Sequence, residues 1–562
     1  MSQPSLVRGA NEPALLEHTI GEALLRAAKK WPKQEALISV HQGIRWTYEQ
    51  FSSEVDRFAA GLLALGLKTG DRVGVWAPNC AEWTLVQFAT ARVGMIQVNI
   101  NPAYRLSEVE YTLNKVGVKA LVCAEKFKTS DYVGMINDLA PEIAASKPGE
   151  LKSKHLPDLK TVIQISGKPG PGWLAFRDIA GLATAKQSIE VLDIAERLDR
   201  NDPINIQFTS GTTGLPKGAT LSHRNILNNA YFCGEGMGLK PGDRLLIPVP
   251  LYHCFGMVLG NLACIVHGAA MVYSSEGYEP LAVLKTAQDE RCTGLHGVPT
   301  MFIAELEHPD FDTFDLTSLR TGIMAGSPCP IEVMKKVIDR MHMHQVGIGY
   351  GMTETSPISF QTAIDDPLER RVSTVGRVQP HLEVKIVDES GATVPRGQPG
   401  ELCTRGYAVM IGYWNDREKT AEAVDEEGWM HTGDLATIDD EGYCNIVGRI
   451  KDMVIRGGEN VFPREIEEYL FRHPKIEDVQ VIGVPDPKYG EEICAWVKPR
   501  AGASLTREEI IDFCKGQIAH YKIPRYVKFV DSFPMTVTGK IQKFEMRKAM
   551  IAELNLAEAK TA

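Results

Sequence analysis

Residues 72–124 read RVGVWAPNCAEWTLVQFATARVGMIQVNINPAYRLSEVEYTLNKVGVKALVCA, and this stretch decides the fold class. It contains short apolar runs at 72–77, 95–100 and 119–124, separated by segments with helical spacing at 79–93 and 106–115. Strands that alternate with helices over such distances pair in parallel and carry the helices on the faces of the sheet. The sequence therefore predicts an α/β fold.

Similar patterns extend outward from this stretch. Apolar runs predict further strands at 161–166, 245–249 and 269–274, and a helix is expected from about 223 to 232. Residues 144–157 are polar and contain proline and glycine, so they are interpreted as a surface loop. The apolar window 258–273 is interrupted by Asn261 and His267, which favours a buried core element over a membrane-spanning helix.

The character of the sequence changes near Gly448. Beyond it the pattern predicts a helix at 463–473, strands at 479–484 and 493–498, a helix at 507–520 and a strand at 526–530. An α+β unit of about 110 residues is long enough to fold alone. We therefore predict an N-terminal domain at 1–450 and a C-terminal domain at 451–562.

Composition excludes several classes of protein. The chain has 562 residues, 61 Lys+Arg and 71 Asp+Glu, which gives a formal charge of −10 and argues against a nucleic-acid partner or a polybasic membrane anchor. Eleven cysteines without a C-x-x-C pair predict reduced thiols. Since neither terminus has a targeting pattern, we expect a cytoplasmic protein without an integral membrane segment.

The sharpest local feature is TSGTTGLPKG at 209–218, which combines three glycines, four hydroxyl residues and Lys217. Glycines let backbone N–H groups approach an oligophosphate, hydroxyls donate hydrogen bonds and a lysine adds positive charge. The decamer lacks the G-x-x-x-x-G-K-[ST] spacing of a P-loop, and the chain has no G-x-G-x-x-G fingerprint. The sequence predicts phosphate binding by a different architecture.

This decamer is the first of six motifs that follow one another in a fixed order. The others are YGMTE at 350–354, HTGD at 431–434, GRIKD at 448–452, RGGENVFP at 456–463 and PMTVTGKI at 534–541. Together they resemble the adenylate-forming superfamily of acyl-CoA synthetases, aryl-CoA ligases, peptide-synthetase adenylation domains and luciferases. The resemblance implies a large N-terminal domain of several subdomains, with mixed sheets and helices, and a small mobile α+β C-terminal domain.

The resemblance also implies a two-step reaction and a set of site residues. A carboxylate and ATP first give acyl-AMP and pyrophosphate, and CoA then takes the acyl group. The residues implied in ATP or AMP binding are Thr209, Ser210, Gly211, Thr212, Thr213, Gly214, Lys217, Gly326, Ser327, Tyr350, Gly351, Thr353, Glu354, Asp434, Arg449 and Lys540. In this set Tyr350 would stack on adenine, and the Asp434 carboxylate would accept hydrogen bonds from both ribose hydroxyls.

Four of these residues, Lys540, Lys217, Glu354 and Thr353, resemble the catalytic residues of the superfamily. The Lys540 ammonium would offset negative charge in the transition state without acting as a base. Glu354 would hold Mg²⁺ that bridges the phosphates, since such an ion takes only one or two carboxylates from the protein.

The remaining implied roles concern the second step. Lys451 occupies the position of the hinge, where a change in backbone angles matters more than chemistry. Gly457 and Gly458 would form the wall of a pantetheine tunnel, because glycine permits close approach by a thin chain. His253 and Gly326 would border the acyl group, although His253 is also interpreted as a packed core histidine.

The leading interpretation is a ligase that joins a medium- to long-chain fatty acid to CoA. An aryl-CoA ligase for benzoate or cinnamate derivatives is the alternative, and a non-catalytic nucleotide-binding relative is a second one. The chain ends about 22 residues after Lys540, which favours free CoA over a fused carrier domain. A homodimer is left open. We also expect Lys217, Arg449, Lys451, Arg456 and Lys540 to form a basic patch against the acidic background.

Overall fold

The structure is a computed structural model that describes residues 3–209, 216–456, 459–536 and 540–556. Within them the chain forms a large N-terminal domain of mixed sheets and helices and a small α+β C-terminal domain. The α/β class and the division into a large and a small domain that the sequence predicts are confirmed. In the described part of the chain, we find no helix with the length and apolar character needed to cross a membrane.

The stretch that decides the fold class lies in the centre of a largely parallel sheet. Arg72–Trp76 pairs in parallel with Ile96–Asn99 on one side and with Val118–Cys123 on the other. Val75 and Val122 face each other in this register and are fully buried. The strands of this sheet, in spatial order, are Leu174–Ala175, Thr161–Gln164, Val118–Cys123, Arg72–Trp76, Ile96–Asn99, Pro203–Thr209, Lys217–Ser222 and Gly412–Tyr413.

A second large sheet is parallel in its centre and antiparallel at both ends. Its order is Arg377–Val378, Ile358–Gln361, Gln345–Gly351, Thr321–Met324, Gly294–Leu295, Arg244–Leu246, Ala270–Tyr273, Glu35–Ser39 and Ile44–Thr47. Ile323 pairs with Gly347 in the parallel region. The strand Gln345–Gly351 delivers Tyr350 and Gly351 to the carboxyl edge of this region, where ligands bind in open α/β sheets.

A third, antiparallel sheet completes the N-terminal domain. It consists of Leu6–Arg8, Leu382–Val387, Gly400–Gly406, Met430–Ile438 and Cys444–Arg449, in that order. Asp434 and Arg449 face each other across its last two strands. A hairpin, Lys126–Phe127 with Ser130–Asp131, lies outside the three sheets.

Helices cover the sheets and supply much of the apolar core. The α-helices of the N-terminal domain are Ile20–Lys30, Tyr48–Ala64, Ala81–Arg92, Leu106–Val116, Tyr132–Leu139, Phe176–Ile179, Ala185–Ala195, His223–Gly236, Ala263–His267, Pro280–Asp289, Pro299–Leu306, Ile331–Arg340, Leu368–Ser373 and Arg417–Ala423. Short 3₁₀ turns occur at Val40–Gln42, Pro141–Ala145, Ala180–Leu182, Phe311–Thr313, Thr353–Thr355 and Ile450–Asp452.

A π-helix at Phe255–Leu262 precedes the α-helix Ala263–His267. Asn261 in it donates to the Gln87 side chain at 2.9 Å, and Gln87 donates to the Met257 carbonyl at 3.1 Å. Such wide turns are frequent at functional sites. The window 258–273 is buried, as the sequence predicts, but its π-helical turn is not visible in hydrophobic periodicity.

The C-terminal domain has cores of its own. Its strands are Val454–Arg456, Glu459–Val461, Ile476–Asp486, Gly490–Pro499 and Tyr526–Phe529, and its helices are Pro463–Leu470, Arg507–Cys514 and Lys543–Glu553, with a 3₁₀ turn at His520–Lys522. Ile466, Val481 and Ile493 are fully buried in one cluster, and Met546 of the last helix packs in a second.

Several sequence predictions differ from the structure in detail. The helix predicted at 507–520 ends at Cys514, because Lys515 is extended and Gly516 has a φ of +68°. The strand predicted at 245–249 ends at Leu246. The segment 144–157 is a loop as predicted, but not a purely surface one, since Leu151 and Leu156 bury their side chains.

Candidate active site

One wall of the site is a buried network around Glu354. The Glu354 carboxylate oxygen Oε1 accepts hydrogen bonds from the Thr209 hydroxyl at 3.1 Å and the Tyr413 hydroxyl at 2.8 Å. The Lys217 ammonium lies 4.2 Å from the centroid of the Tyr413 ring, a cation–π contact. Tyr413 therefore links the lysine of the Thr/Gly-rich decamer to the acid of the YGMTE motif.

The surroundings of Tyr413 explain why its hydroxyl keeps the proton that it donates in the hydrogen bond to Glu354. Burial raises the pKa of Tyr413 well above its usual value, and the adjacent Glu354 charge raises it further. A neutral phenol keeps its proton for the carboxylate. Thr209 and Tyr413 thus both donate to the same carboxylate oxygen, Oε1.

The opposite wall is organised around Asp434. The Tyr350 hydroxyl donates to Asp434 Oδ2 at 2.6 Å, and Arg449 Nε lies 3.3 Å from Oδ1. Burial and the neighbouring carboxylate raise the pKa of Tyr350 well above its usual value. Both oxygens of Asp434 therefore face groups contributed by separate motifs.

Lys540 is brought to this wall by the C-terminal domain. The Lys540 amide donates to the Thr536 hydroxyl at 3.1 Å, and the Thr536 amide donates to the Lys540 carbonyl at 2.8 Å. The side chain retains contact with solvent, but the protein around the ammonium lowers its pKa to about 8. Repulsion from Arg449 acts in the same direction, while Asp434 opposes it.

His253 of the N-terminal domain is also influenced by Lys540. Burial lowers the pKa of His253 to about 4, and the charge of Lys540 contributes to that decrease. The ring packs against Tyr252 at 4.7 Å, and the backbone enters the π-helix directly afterwards. At neutral pH the imidazole of His253 is therefore uncharged, and Lys540 is close enough for its ammonium to lower the pKa of His253.

Turns between strands and short helices supply the remaining predicted residues. Gly326 has a φ of +93° and leads into half-buried Ser327. Gly351 has no room for a side chain, because a Cβ there would lie 1.6 Å from the Pro357 carbonyl oxygen. Thr353 begins the 3₁₀ turn Thr353–Thr355, which also holds Glu354.

A cavity of about 370 Å³ lies between the two domains. Pro250 and Tyr252 contribute to it from the N-terminal domain, and Phe533 and Thr536 from the C-terminal domain. Asp478 also lines it, with a pKa raised to about 7 by burial. Tyr252 precedes His253 in the chain, and Thr536 is hydrogen-bonded to Lys540. The cavity therefore lies close to both predicted site residues.

Among the described residues, the structure joins Thr209 to Glu354, and it joins Tyr350 and Arg449 to Asp434. The predicted basic patch is wrong for Arg456, because its guanidinium pairs with Glu492 through two contacts of 2.8 Å and lies over Tyr489. Arg449, Lys451 and Lys540 do influence one another electrostatically. The predicted residues Ser210, Gly211, Thr212, Thr213, Gly214, Gly457 and Gly458 lie outside the described residues.

Sequence reasoning missed two residues in this region, Tyr413 and Glu401. Tyr413 enters the Glu354 network from the short strand Gly412–Tyr413 at the edge of the parallel sheet. Glu401 accepts hydrogen bonds from the HTGD segment. Neither residue belongs to a motif singled out above, so only spatial proximity identifies them.

Sequence comparisons define the family. The profile of the AMP-binding enzyme family matches residues 24–414, and the profile of the AMP-binding enzyme C-terminal domain matches residues 465–540. The chain therefore belongs to the AMP-binding enzyme family.

Individual relatives cover almost the whole chain. A Bacillus subtilis protein named as an acyl-CoA synthetase, YngI, is 50% identical over 97% of this chain and 99% of its own length. The mitochondrial medium-chain acyl-CoA ligase ACSF2 of Homo sapiens is 45% identical over 98% of this chain and 91% of its own.

Solved structures with the same fold include enzymes with bound nucleotide. The anthranilate CoA ligase AuaEII in complex with anthranoyl-AMP has a TM-score of 0.84 at 27% identity, covering 97% of this chain and 99% of that one. ATP-bound MatB from Rhodopseudomonas palustris has a TM-score of 0.81 at 29% identity, covering 95% and 99%.

We expect Tyr413→Phe to weaken ATP binding about tenfold, because Glu354 loses one of two donors while the ring beneath Lys217 remains. Titration of tryptophan fluorescence with MgATP measures this change. Tyr443→Phe is the matched control, since its hydroxyl donates to Asp366 in another part of the domain. Equal affinities for the wild type and Tyr413→Phe would contradict the role of this hydrogen bond.

Proposed function

We propose that the protein activates a medium- to long-chain fatty acid with ATP, releases pyrophosphate and transfers the acyl group from acyl-AMP to CoA. The observation that carries this proposal is the position of Lys540. The charges of Arg449 and Asp434 act on this lysine of the C-terminal domain, and its own charge lowers the pKa of His253. The names of the ACSF2 and YngI relatives support an acyl-CoA product.

We assign the nucleotide site to residues on both walls of the cleft. Lys217 and the Thr/Gly-rich decamer are proposed to bind the β- and γ-phosphates. Asp434 would accept the ribose hydroxyls, and Tyr350 would pack against the base. The proposed contacts are Thr209, Ser210, Gly211, Thr212, Thr213, Gly214, Lys217, Gly326, Ser327, Tyr350, Gly351, Thr353, Glu354, Asp434, Arg449 and Lys540.

Glu354 fits a magnesium-linked acid. Among the described residues, the hydrogen bonds from Thr209 and Tyr413 both reach Oε1, so Oε2 is the oxygen that we propose for a cation. A hard divalent ion prefers carboxylate and phosphate oxygens. When bound with ATP, Mg²⁺ would neutralise charge on the phosphates, while Thr209 and Tyr413 keep the Glu354 carboxylate in place.

In the first step a fatty-acid carboxylate oxygen attacks the α-phosphorus of ATP. A P–O bond to AMP forms, and the bond to the departing pyrophosphate breaks. Because two anions approach each other, a positioned ammonium stabilises the transition state more than the ground state. We propose Lys540 for this role and Thr353 for a contact with the α-phosphate.

His253 and Gly326 are proposed to border the acyl carboxylate. With its pKa lowered to about 4, His253 is neutral at physiological pH and orients the acid without competing with Lys540 for its charge. Because Gly326 has no side chain, we propose that the reacting carbonyl lies close to the backbone of this turn.

The second step requires the C-terminal domain to move. We propose a boundary near residue 450 and a hinge at Lys451, which lies exposed in the 3₁₀ turn Ile450–Asp452. The polar contacts between the domains include the Arg500–Glu307 ion pair and a 3.5 Å contact from the Ile331 amide to Glu468. Arg464 also donates to the Ile446 carbonyl at 2.8 Å. Of these contacts, the partly exposed Arg500–Glu307 pair costs little to break.

After this movement the CoA thiol attacks the acyl carbonyl, the new thioester forms and AMP leaves. Gly457 and Gly458 are proposed as the tunnel wall for pantetheine. The cavity between Tyr252 and Phe533 supports the movement, because both domains line it and a rotation of the small domain would open it. A cytoplasmic location and a homodimer are part of the same proposal.

A panel of carboxylic acids tests the substrate class. We expect kcat/KM for CoA-dependent AMP release to rise from butyrate to octanoate and dodecanoate, because each buried CH₂ contributes about 0.8 kcal/mol, or about fourfold. Benzoate serves as the aryl comparison. Preference for benzoate over octanoate would instead support the aryl-CoA ligase, and the absence of AMP release with every acid would contradict both.

The pKa of Lys540 predicts a pH profile. Its ammonium is charged below pH about 8 and loses its proton as the pH rises through that value. We therefore expect kcat/KM for ATP in pyrophosphate exchange to fall about tenfold per pH unit above that pKa. Lys540→Arg keeps its charge and should lose this alkaline decrease.

Lys451→Arg is the matched control, because Lys451 lies next to Arg449 and also has a lowered pKa. It should retain the alkaline decrease of the wild type. If Lys451→Arg abolishes the decrease and Lys540→Arg preserves it, the titrating group is not Lys540.

A further inference from the structure

The HTGD motif forms a bulge in the antiparallel sheet. Cys403 pairs with His431 and Glu401 pairs with Leu435, so Leu402 alone faces the three residues 432–434. Gly433 in this bulge has a φ of +70°, a conformation suited to glycine. Bulges of this kind redirect side chains next to active sites, and this one directs Asp434.

The Glu401 carboxylate contacts the middle of the bulge and the residue that precedes it. Its Oε2 lies 2.9 Å from His431 Nδ1, and its Oε1 accepts the Gly433 amide at 3.1 Å. Because an ionised carboxylate only accepts, the His431 Nδ1 atom carries the proton. Each oxygen of Glu401 therefore has its own donor in the HTGD segment.

Two further hydrogen bonds complete the bulge. The Thr432 hydroxyl donates to the Leu402 carbonyl at 2.7 Å and accepts from the Asp434 amide at 3.1 Å. Asp434 then meets Tyr350 at 2.6 Å. The chain of contacts thus runs from Glu401 through the backbone to the proposed ribose acceptor.

We propose that Glu401 is a positioning residue that sets the Asp434 carboxylate for the ribose hydroxyls and so controls nucleotide affinity. The proposal rests on the proposed function, because it takes Asp434 as the ribose acceptor. Glu401 touches neither Tyr350 nor Arg449 in these contacts, so it acts through the bulge and not on the nucleotide itself.

Discrimination between ATP and 2′-deoxy-ATP tests this role. Glu401→Gln keeps the shape of the side chain but replaces one acceptor oxygen with a donor and removes the negative charge. The variant must therefore either lose a contact with the bulge or force His431 into the tautomer with an unprotonated Nδ1, and in both cases the charge-assisted hydrogen bonds are lost. We expect KM for ATP in pyrophosphate exchange to rise about tenfold while kcat changes less than about threefold. The preference for ATP over 2′-deoxy-ATP should fall toward that of Asp434→Asn.

Glu383→Gln is the matched control. Glu383 lies on the neighbouring strand of the same sheet and pairs with Arg405 and Arg8, away from the bulge. Its nucleotide preference should equal that of the wild type. A variant of Glu401 that is merely less stable would lower the melting temperature without changing the preference.

A second variant and the control reactions distinguish failure of this inference from failure of the proposed function. If Glu401→Gln does not fold, His431→Leu removes one of the two contacts and should also reduce the preference for ATP. Wild-type preference in a folded Glu401→Gln variant, or an equal loss in Glu383→Gln, would overturn the inference. Absence of exchange in the wild type, or an unchanged preference in Asp434→Asn, would instead contradict the proposed function.

Discussion

The Asp434 carboxylate of the N-terminal domain interacts electrostatically with the Lys540 ammonium of the C-terminal domain. Its oxygens face the Tyr350 hydroxyl and Arg449, and its charge acts on the Lys540 ammonium from the C-terminal domain. A cation that leaves bulk water loses hydration, so its pKa falls unless an anion compensates. Asp434 compensates only in part, so the pKa of Lys540 remains below its usual value.

The two walls of the cleft divide the chemistry between them. Glu354 is held by Thr209 and by Tyr413, whose ring contacts Lys217, whereas Asp434 is held by a bulge whose shape depends on Glu401. Fixed hydrogen bonds of this kind cost no reorganisation during the reaction. The mobile element in the proposed mechanism is therefore the domain that carries Lys540, while the groups that receive the nucleotide stay in place.

Sequence patterns could predict some of this structure and not the rest. The parallel strands around Arg72–Trp76 follow from runs of buried apolar residues, and Lys217, Glu354 and Asp434 follow from motifs. Tyr413 and Glu401 could not be found in this way, because their partners lie 59 and about 30 residues away along the chain. Likewise, the π-helix depends on long-range side-chain contacts that periodicity does not register.

The most direct test of the central claim separates the two half-reactions of a single variant. In Lys540→Ala, fatty-acid-dependent pyrophosphate exchange should fall about 10²–10³-fold, the effect of removing one preorganised charge. Transfer from synthetic acyl-AMP to CoA should remain close to the wild-type rate, since the lysine acts only while the acid attacks ATP. An equal loss in both half-reactions would contradict the account.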